Sequence, residues 1–378
     1  MEMGEALSAK KDGLVRQFIY KGHCGGKMCR RSLCRAIRAG IPELEGGDQY
    51  GIVIEKTIMI SIEWRNTVDV RNEKNEIAED VEAVVTSFNQ GDMLLEAVSS
   101  LQRQTTPPAK IIVVDDGSTD ENSVRILRRL EADFSAAVPI EVIRQSNRGV
   151  SGARNAGIGK VQTPFALVLD GDDKLEPFYI ERVSHLLREQ SSVIAASSWM
   201  RAFGVLNTTI CPGGGDLAAF CVRNCSPATH ILRREVWERC GGYDESMRSG
   251  FEDWDFFLSI LETKPDAYIG IVREPLLNYR TAPASSNIKS MSKRLELMRY
   301  LIEKHIDTYR KYVTETILGL EAISTARLCG WESEILHEIS AEQILGEASD
   351  DLIRHPSYGD GGMAAAVRIE SFRRAGEN

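Results

Sequence analysis

No run in this chain approaches the ~18–20 apolar residues that a membrane span needs. The start, "MEMGEALSAKKDG", holds no apolar core of the kind a secretory leader carries. Both absences lead us to expect a soluble, cytoplasmic protein. Positive charge is also short: the formal net charge is −9, which argues against a general nucleic-acid binder. Eight cysteines in 378 residues are too few for a disulfide framework, so thiols are expected. No Gly-x4-Gly-Lys-Ser/Thr occurs, which disfavours phosphoryl transfer from ATP.

What is present is unevenly spread. Residues 1–40 hold nine Lys/Arg against three Asp/Glu, densest in "KGHCGGKMCRRSLCRAIR" at 21–38. Cys24, Cys29 and Cys34 stand there at equal gaps and, with His23, offer four zinc-ligand types. The paired Cys-x2-Cys knuckles usual in zinc sites are missing, so a basic, partly helical arm with incidental cysteines is the other reading. Such an arm would meet an acidic partner or a membrane surface, making peripheral membrane contact through 21–38 an expectation. Residues 51–64 partly alternate and read as a strand pair, and the polar run at 65–80 reads as a linker.

From Val81 short β-branched runs alternate with segments of helical periodicity. "VEAVVTSFN", "KIIVVDDGSTD", "PIEVIRQSN" and "PFALVLDGDD" read as strands. In the first helix Leu94, Val98 and Leu101 recur at helical spacing, with Asp92 placed to cap it; another helix begins near Val150. Alternation of this kind signals an α/β layer with a mostly parallel sheet. In open α/β sheets ligands bind beyond the carboxyl ends of the strands. Those ends carry Thr86-Ser87-Phe88-Asn89, Asp115-Asp116, Gln145 to Arg148 and Asp170-Gly171-Asp172-Asp173. Turn chemistry explains each cluster singly; it does not explain why every one of them follows a buried strand.

In "GFEDWDFFLSIL", Trp254, Phe257, Leu258 and Leu261 fall at i, i+3, i+4 and i+7, forming one buried helical face. Glu252 and Asp253 then lie in the first turn, where the helix dipole favours ionised carboxylates. They read either as caps or as a base. Gly213-Gly214-Gly215 reads as a mobile loop over a ligand. His230 reads as a structural histidine, and Trp199 and Met200 as core or cleft residues. Beyond Ser290 the chain turns helical, with Leu295, Met298, Leu301 and Ile302 on one face and further helices at 315–328 and 341–353.

The segments "VVTSFNQGDMLLEAVSSLQRQT", "IIVVDDGSTD", "NRGVSGARNAG", "LVLDGDD" and "RREVWERCGGYDESMRSGFEDWDF" occur in order. Together, over about residues 81–286, they resemble the inverting nucleotide-sugar glycosyltransferases of GT-A-fold family 2. The resemblance implies a Rossmann-like GT-A domain at 81–290, an N-terminal extension at 1–80 and a C-terminal helical region at 291–378. It implies that Thr86 and Phe88 flank the nucleobase and that Asp115 accepts from a base N–H. Asp116 would hold the loop or the ribose, and Arg154 would reach the nucleotide or its phosphates. Asp170 and Asp172 would form the Asp-x-Asp motif, with Asp170 near the ribose. Asp172 would sit on Mn²⁺ or Mg²⁺, with Asp173 as another ligand or orienter. Carboxylates suit these hard cations, which neutralise a departing diphosphate. Asp253 would be the general base, with Glu252 beside it on the acceptor side.

The resemblance also implies single displacement from a nucleoside-diphosphate sugar, most often uridine-based. The acceptor, whether glycan, lipid-linked sugar, small molecule or peptide, stays open. Some family features are missing: no arginine follows the Glu-Asp pair, and Thr281-Ala282 stand where a histidine often follows Tyr279-Arg280. The Gln-x-x-Arg-Trp motif of processive synthases is absent, which points to non-processive transfer. An inactive GT-A scaffold and a sugar nucleotidyltransferase are the competing readings.

Overall fold

The computed structural model describes residues 77–132, 137–283, 286–340 and 353–376. The basic arm, its cysteines and the strand pair read at 51–64 lie outside them. So does most of the helix read at 341–353. The polar linker ends earlier than its pattern indicates, because the first strand, β1, runs Ala78–Ser87.

The chain continues α1 (Asp92–Gln102), β2 (Pro108–Asp115), α2 (Glu121–Glu131), β3 (Ile140–Arg144), α3 (Gly149–Ile158) and β4 (Phe165–Asp170). β1 pairs in parallel with β2 and β4, and β2 with β3. This is the expected alternating half. Beyond it the sheet becomes mixed. β5 (Lys174–Leu175), α4 (Tyr179–Glu189), β6 (Val193–Gly204) and β7 (Thr208–Ile210) follow, then α5 (Leu217–Val222), β8 (His230–Arg233), α6 (Arg234–Cys240), α7 (Glu252–Leu261) and β9 (Tyr268–Thr281). The strand order is β3-β2-β1-β4-β8-β6-β9-β5, with β7 on β6. β8 is antiparallel to both β4 and β6, and β6 is parallel to β9, so β1–β4, β6 and β9 all point one way.

Strand periodicity of two sorts side chains onto two faces. Val81, Ala83 and Val85 of β1 join one core with α1, α2 and α4. Val84 joins the other, with α3 and α7. The same alternation puts Thr86, and Asp170 at the end of β4, on the α3 face. α3 approaches β1 closely because Gly157 has no side chain: a Cβ there would lie 2.2 Å from Val84 Cγ1.

The helical region beyond Ser290 packs on the sheet. α9 (Arg294–Lys304) and α10 (Ile306–Lys311) bury Leu301 and Tyr309 in the α7 core, and α12 (Gly362–Gly376) buries Met363, Ala366 and Val367 in the other. α8 (Ser286–Met291) precedes them and α11 (Val313–Ser340) extends the second expected helix. The apolar face of α9 differs from the one read in the sequence: Leu297 and Leu301 are buried, while Leu295 is 86% exposed. The buried stripe runs through Leu297, Met298 and Leu301, and at about 100° per residue Leu295 and Ile302 fall to one side of it, so the face read in the sequence was drawn too far round the helix. α1 likewise starts at Asp92 itself, with Gly91 as its N-cap and no side-chain cap.

The Gly213–Gly215 run is tied down. Gly215 N–H donates to Ile269 O at 3.0 Å and Ile269 N–H returns to Gly215 O at 2.9 Å, while Gly214 N–H donates to Cys225 O. The glycines are there for close approach: a Cβ at Gly214 would meet Ile269 O at 2.3 Å. His230 is buried as a structural residue, its Nδ1 2.6 Å from Ala228 O, and burial pushes it down to about 3. Met200 is core.

Gly157→Ala should therefore lower stability by ~1–3 kcal/mol, the usual cost of overpacking. Urea unfolding of the two proteins checks it.

Candidate functional site

The strand ends converge as their polarity indicates. Thr86 is the register partner of Asp170 and Ser87 of Asp115. Asn89, with φ of 53°, closes the gap between the β1 and β2 loops. Its Oδ1 accepts from Thr119 N–H at 2.8 Å and Asp120 N–H at 3.2 Å, and its own N–H donates to Ser118 Oγ at 2.9 Å. Phe88 projects from this loop, 48% exposed. Asp115 is buried, and its Oδ1 accepts from Ser118 N–H at 3.1 Å. Asp116 is wholly engaged with the loop before α3, accepting from Gln145 Nε2, Arg148 N–H and Gly149 N–H at 2.7–2.8 Å. It neutralises orphan N–H groups at the start of α3.

Arg154 stands on α3 with 1% of its side chain exposed. Its Nη2 donates to both oxygens of Asp170, at 2.9 and 3.1 Å, and its Nη1 to Glu252 Oε1 at 3.1 Å. Thr86 Oγ1 adds a bond to Asp170 Oδ1 at 3.2 Å. The Tyr243 ring, stacked on Phe256 with centroids 3.8 Å apart, lies 5.4 Å from the guanidinium carbon. Thus the arginine joins the Asp-x-Asp strand to the helix that carries the candidate base. Its partners here are two carboxylates.

Gly171 lets the motif turn against β1: its N–H donates to Thr86 O, and a Cβ would lie 2.6 Å from that oxygen. Asp172 is half-buried, and burial together with the charge of Asp170 pushes it up to about 6. Gln90 Nε2 approaches its Oδ1 at 3.4 Å. Asp173 is buried, and its Oδ1 accepts from Arg280 N–H at 2.8 Å, which pins the motif to β9. Burial and the charges of Asp172 and Asp170 hold it well above the carboxylate range. Arg280 also donates to Asp172 O and Glu96.

Asp253 is half-buried in the first turn of α7, just after Phe251, whose φ of 65° is the left-handed region that side chains avoid. Trp254 N–H donates to its Oδ1 at 2.8 Å and Asn224 Nδ2 to its Oδ2 at 2.9 Å. Burial first, and the neighbouring Glu252 charge second, push Asp253 up to about 7; Arg154 and the two bonds oppose this. The helix is anchored at its back by a buried charge cluster. Asp255, 1% exposed, accepts from Lys304 Nζ at 2.8 Å and His305 Nε2 at 3.1 Å, and His305 Nδ1 lies 2.9 Å from Glu262. Burial disfavours charge on His305, but its bonds to Asp255 and Glu262 prevail and raise it to about 9.

Asn224, Gln90 and Tyr243 are site residues that sequence reasoning missed. Gln90 and Tyr243 lie inside the quoted motif segments without being singled out there, whereas Asn224 lies in none of them, and only the fold brings "RNCSP" beside the first turn of α7. Among the described residues no three His, Cys, Asp or Glu side chains gather at metal-ligand spacing.

Residues 82–210 match the family described as Glycosyl transferase family 2. An uncharacterized glycosyltransferase of Bacillus subtilis is 26% identical over 187 residues, covering 47% of this chain and 66% of its own length. One from Nostoc sp. is 31% identical over 172 residues, covering 42% and 52%. This chain thus spans between half and two thirds of those relatives. Among solved structures, S. aureus TarS 1–349 in complex with UDP-GlcNAc superposes with a TM-score of 0.50 at 15% identity, over 79% of this chain and 92% of that one. The architecture is the GT-A type that the motifs implied.

The raised Asp253 has a testable consequence. Folded protein keeps a proton there that unfolded chain, titrating near 4, releases, so this residue makes stability fall as pH rises from about 4 to about 7. Asp253→Asn should flatten the dependence of unfolding free energy on pH in that window, by at most ~1.4 kcal/mol per pH unit. Urea titrations at several pH values measure it.

Proposed function

We propose that the protein is an inverting, metal-dependent, non-processive glycosyltransferase that takes a sugar from a nucleoside-diphosphate donor, with uridine as the base. The observation that carries this is the setting of Asp253: a half-buried carboxylate in the first turn of α7, held by Trp254 N–H and Asn224 Nδ2 and joined through Glu252 and Arg154 to Asp170, with burial raising its pKa. A general base works best with a pKa near the working pH. The TarS structure that shares the architecture was solved with UDP-GlcNAc, which is the support for a uridine donor.

In this reading Phe88, exposed at the β1 end, stacks on the base, and Asp115 accepts from it, with Thr86 beside them. Asp170 accepts from ribose hydroxyls, its carboxylate oriented by Arg154. Asp172 would hold Mn²⁺ or Mg²⁺, with Asp173 setting its position from β9. The fit rests on the donor set: Asp172 is a hard oxygen ligand whose charge is crowded by Asp170. One or two carboxylates with phosphate oxygens and water suffice for these cations. The bound ion would neutralise the departing diphosphate.

Asp253 takes the proton as the acceptor hydroxyl oxygen attacks the anomeric carbon. The bond from that carbon to the phosphate oxygen breaks, its electron pair leaves with the diphosphate, and configuration inverts. Glu252, fixed on Arg154, keeps Asp253 at the acceptor face and raises its basicity.

UDP with Mn²⁺ should raise the melting temperature; at a hundred times Kd the gain is ~2.7 kcal/mol. Asp172→Ala should remove the part that needs metal. Asp253→Asn should keep the donor shift and lose transfer by at least ~10²-fold. In the unaltered protein kcat/KM should fall as pH drops below about 7, where Asp253 becomes protonated. Absence of any shift with UDP, GDP, TDP and CMP would favour the scaffold reading.

A further inference from the structure

Asn224, the donor to Asp253, also lines a cavity of about 210 Å³. Its walls include Cys211, Arg223, His355, Ser357 and Tyr358. The last three come from the far end of the chain, which is tied down here. Tyr358 Oη donates to Ser226 O at 2.8 Å, and Thr208 Oγ1 bonds the Arg354 carbonyl. Gly359 packs so closely that a Cβ would meet Asn224 O at 2.0 Å. Tyr358 feels the charges of Asp253 and Glu252, so this wall lies within electrostatic reach of the proposed base.

The lining is cationic on one side. Arg223 makes no ion pair among the described residues. The Asp360 charge reaches it, yet the Asp360 carboxylate already accepts from Ser357 Oγ at 2.7 Å and Gly362 N–H at 3.0 Å and pairs with Arg327 at 3.0 Å. The Arg223 side chain also bonds the Cys225 thiol on the same wall, and a guanidinium with its five donors can still match the fork of a phosphate or carboxylate. The volume equals the liquid share of about seven waters, enough for one small polyol or sugar unit. All of the lining residues except Thr209 fall outside the family match, which ends at residue 210.

We infer that this cavity seats the acceptor, and that the acceptor bears an oxyanion, phosphate or carboxylate, held by Arg223 and His355 beside the hydroxyl presented to Asp253. The inference rests on the transferase reading.

Cys211 is an exposed free thiol on the cavity wall. Its alkylation by N-ethylmaleimide, followed at that residue by peptide mass spectrometry on the full chain, reports occupancy without turnover. Glycerol 1-phosphate or glycerate at twice its Kd should slow alkylation about threefold. Glycerol should not, and Arg223→Gln should abolish the protection while retaining the thermal shift with UDP. Protection by one anion alone names the oxyanion. Equal protection by glycerol, protection that survives Arg223→Gln, or none from either anion overturns the inference. With donor in place, the anion that protects should accept sugar, and Arg223→Gln should raise its KM about tenfold, the loss of one charge-assisted hydrogen bond. A loss of kcat at unchanged KM would also overturn it. Because Cys211 protection needs no donor, failure of UDP to bind would sink the transferase reading separately.

Discussion

The buried guanidinium of Arg154 is the interaction on which the site depends. A cation with 1% exposure is tolerated only when paired with good geometry, and here three hydrogen bonds go to two carboxylates from elements distant in sequence. Removing it would leave Asp170 and Glu252 facing one another across a void. Its position is set by the glycines of α3, because only a helix seated as closely as Gly157 allows can bring residue 154 under the end of β4. Backbone economy at one position thus decides the charge balance at another.

That balance is graded. Asp170 has Arg154 and Thr86; Asp116 has three donors from one loop. Asp172 and Asp253 are less well compensated, and burial leaves each near neutrality rather than fully acidic. The two under-compensated acids flank the compensated one, at the places where the proposed chemistry needs a cation and a proton acceptor. The Asp255–Lys304–His305–Glu262 cluster serves a separate purpose: it fixes α7 from behind, so that the first turn can carry crowded charge without shifting.

Much of this was legible in the sequence. Polar residues after β-branched runs located the edge, because strand period and sheet direction leave few places for them to go. The face of α7 was legible because large apolar residues recur at helical spacing. The later half was not. β6 to β9 form a mixed sheet whose pairings span long loops, and local periodicity carries no information on partners. The glycine run at 213–215 looked loose because small residues mark both mobile loops and close contacts; only the Ile269 pairing separates the two. Leu295 was placed on the wrong side because apolar residues at 295, 297, 298, 301 and 302 run nearly halfway round the helix, and periodicity alone does not choose which of them face the core. Asn224 had no local signal, since its role comes from meeting α7.

The wall formed by residues 355–358 gives the chain a direction in time. Every carboxylate from Asp115 to Asp253 has been synthesised before that wall exists. At ~5–20 residues per second, the interval between residues 253 and 358 is on the order of 5–20 s. Through that interval a growing polypeptide would own the acids of the candidate site but only part of the chamber beside them. Completion of the pocket therefore waits on the synthesis of residues 355–358, and a product stopped before them would keep the strand-edge carboxylates and lack that wall.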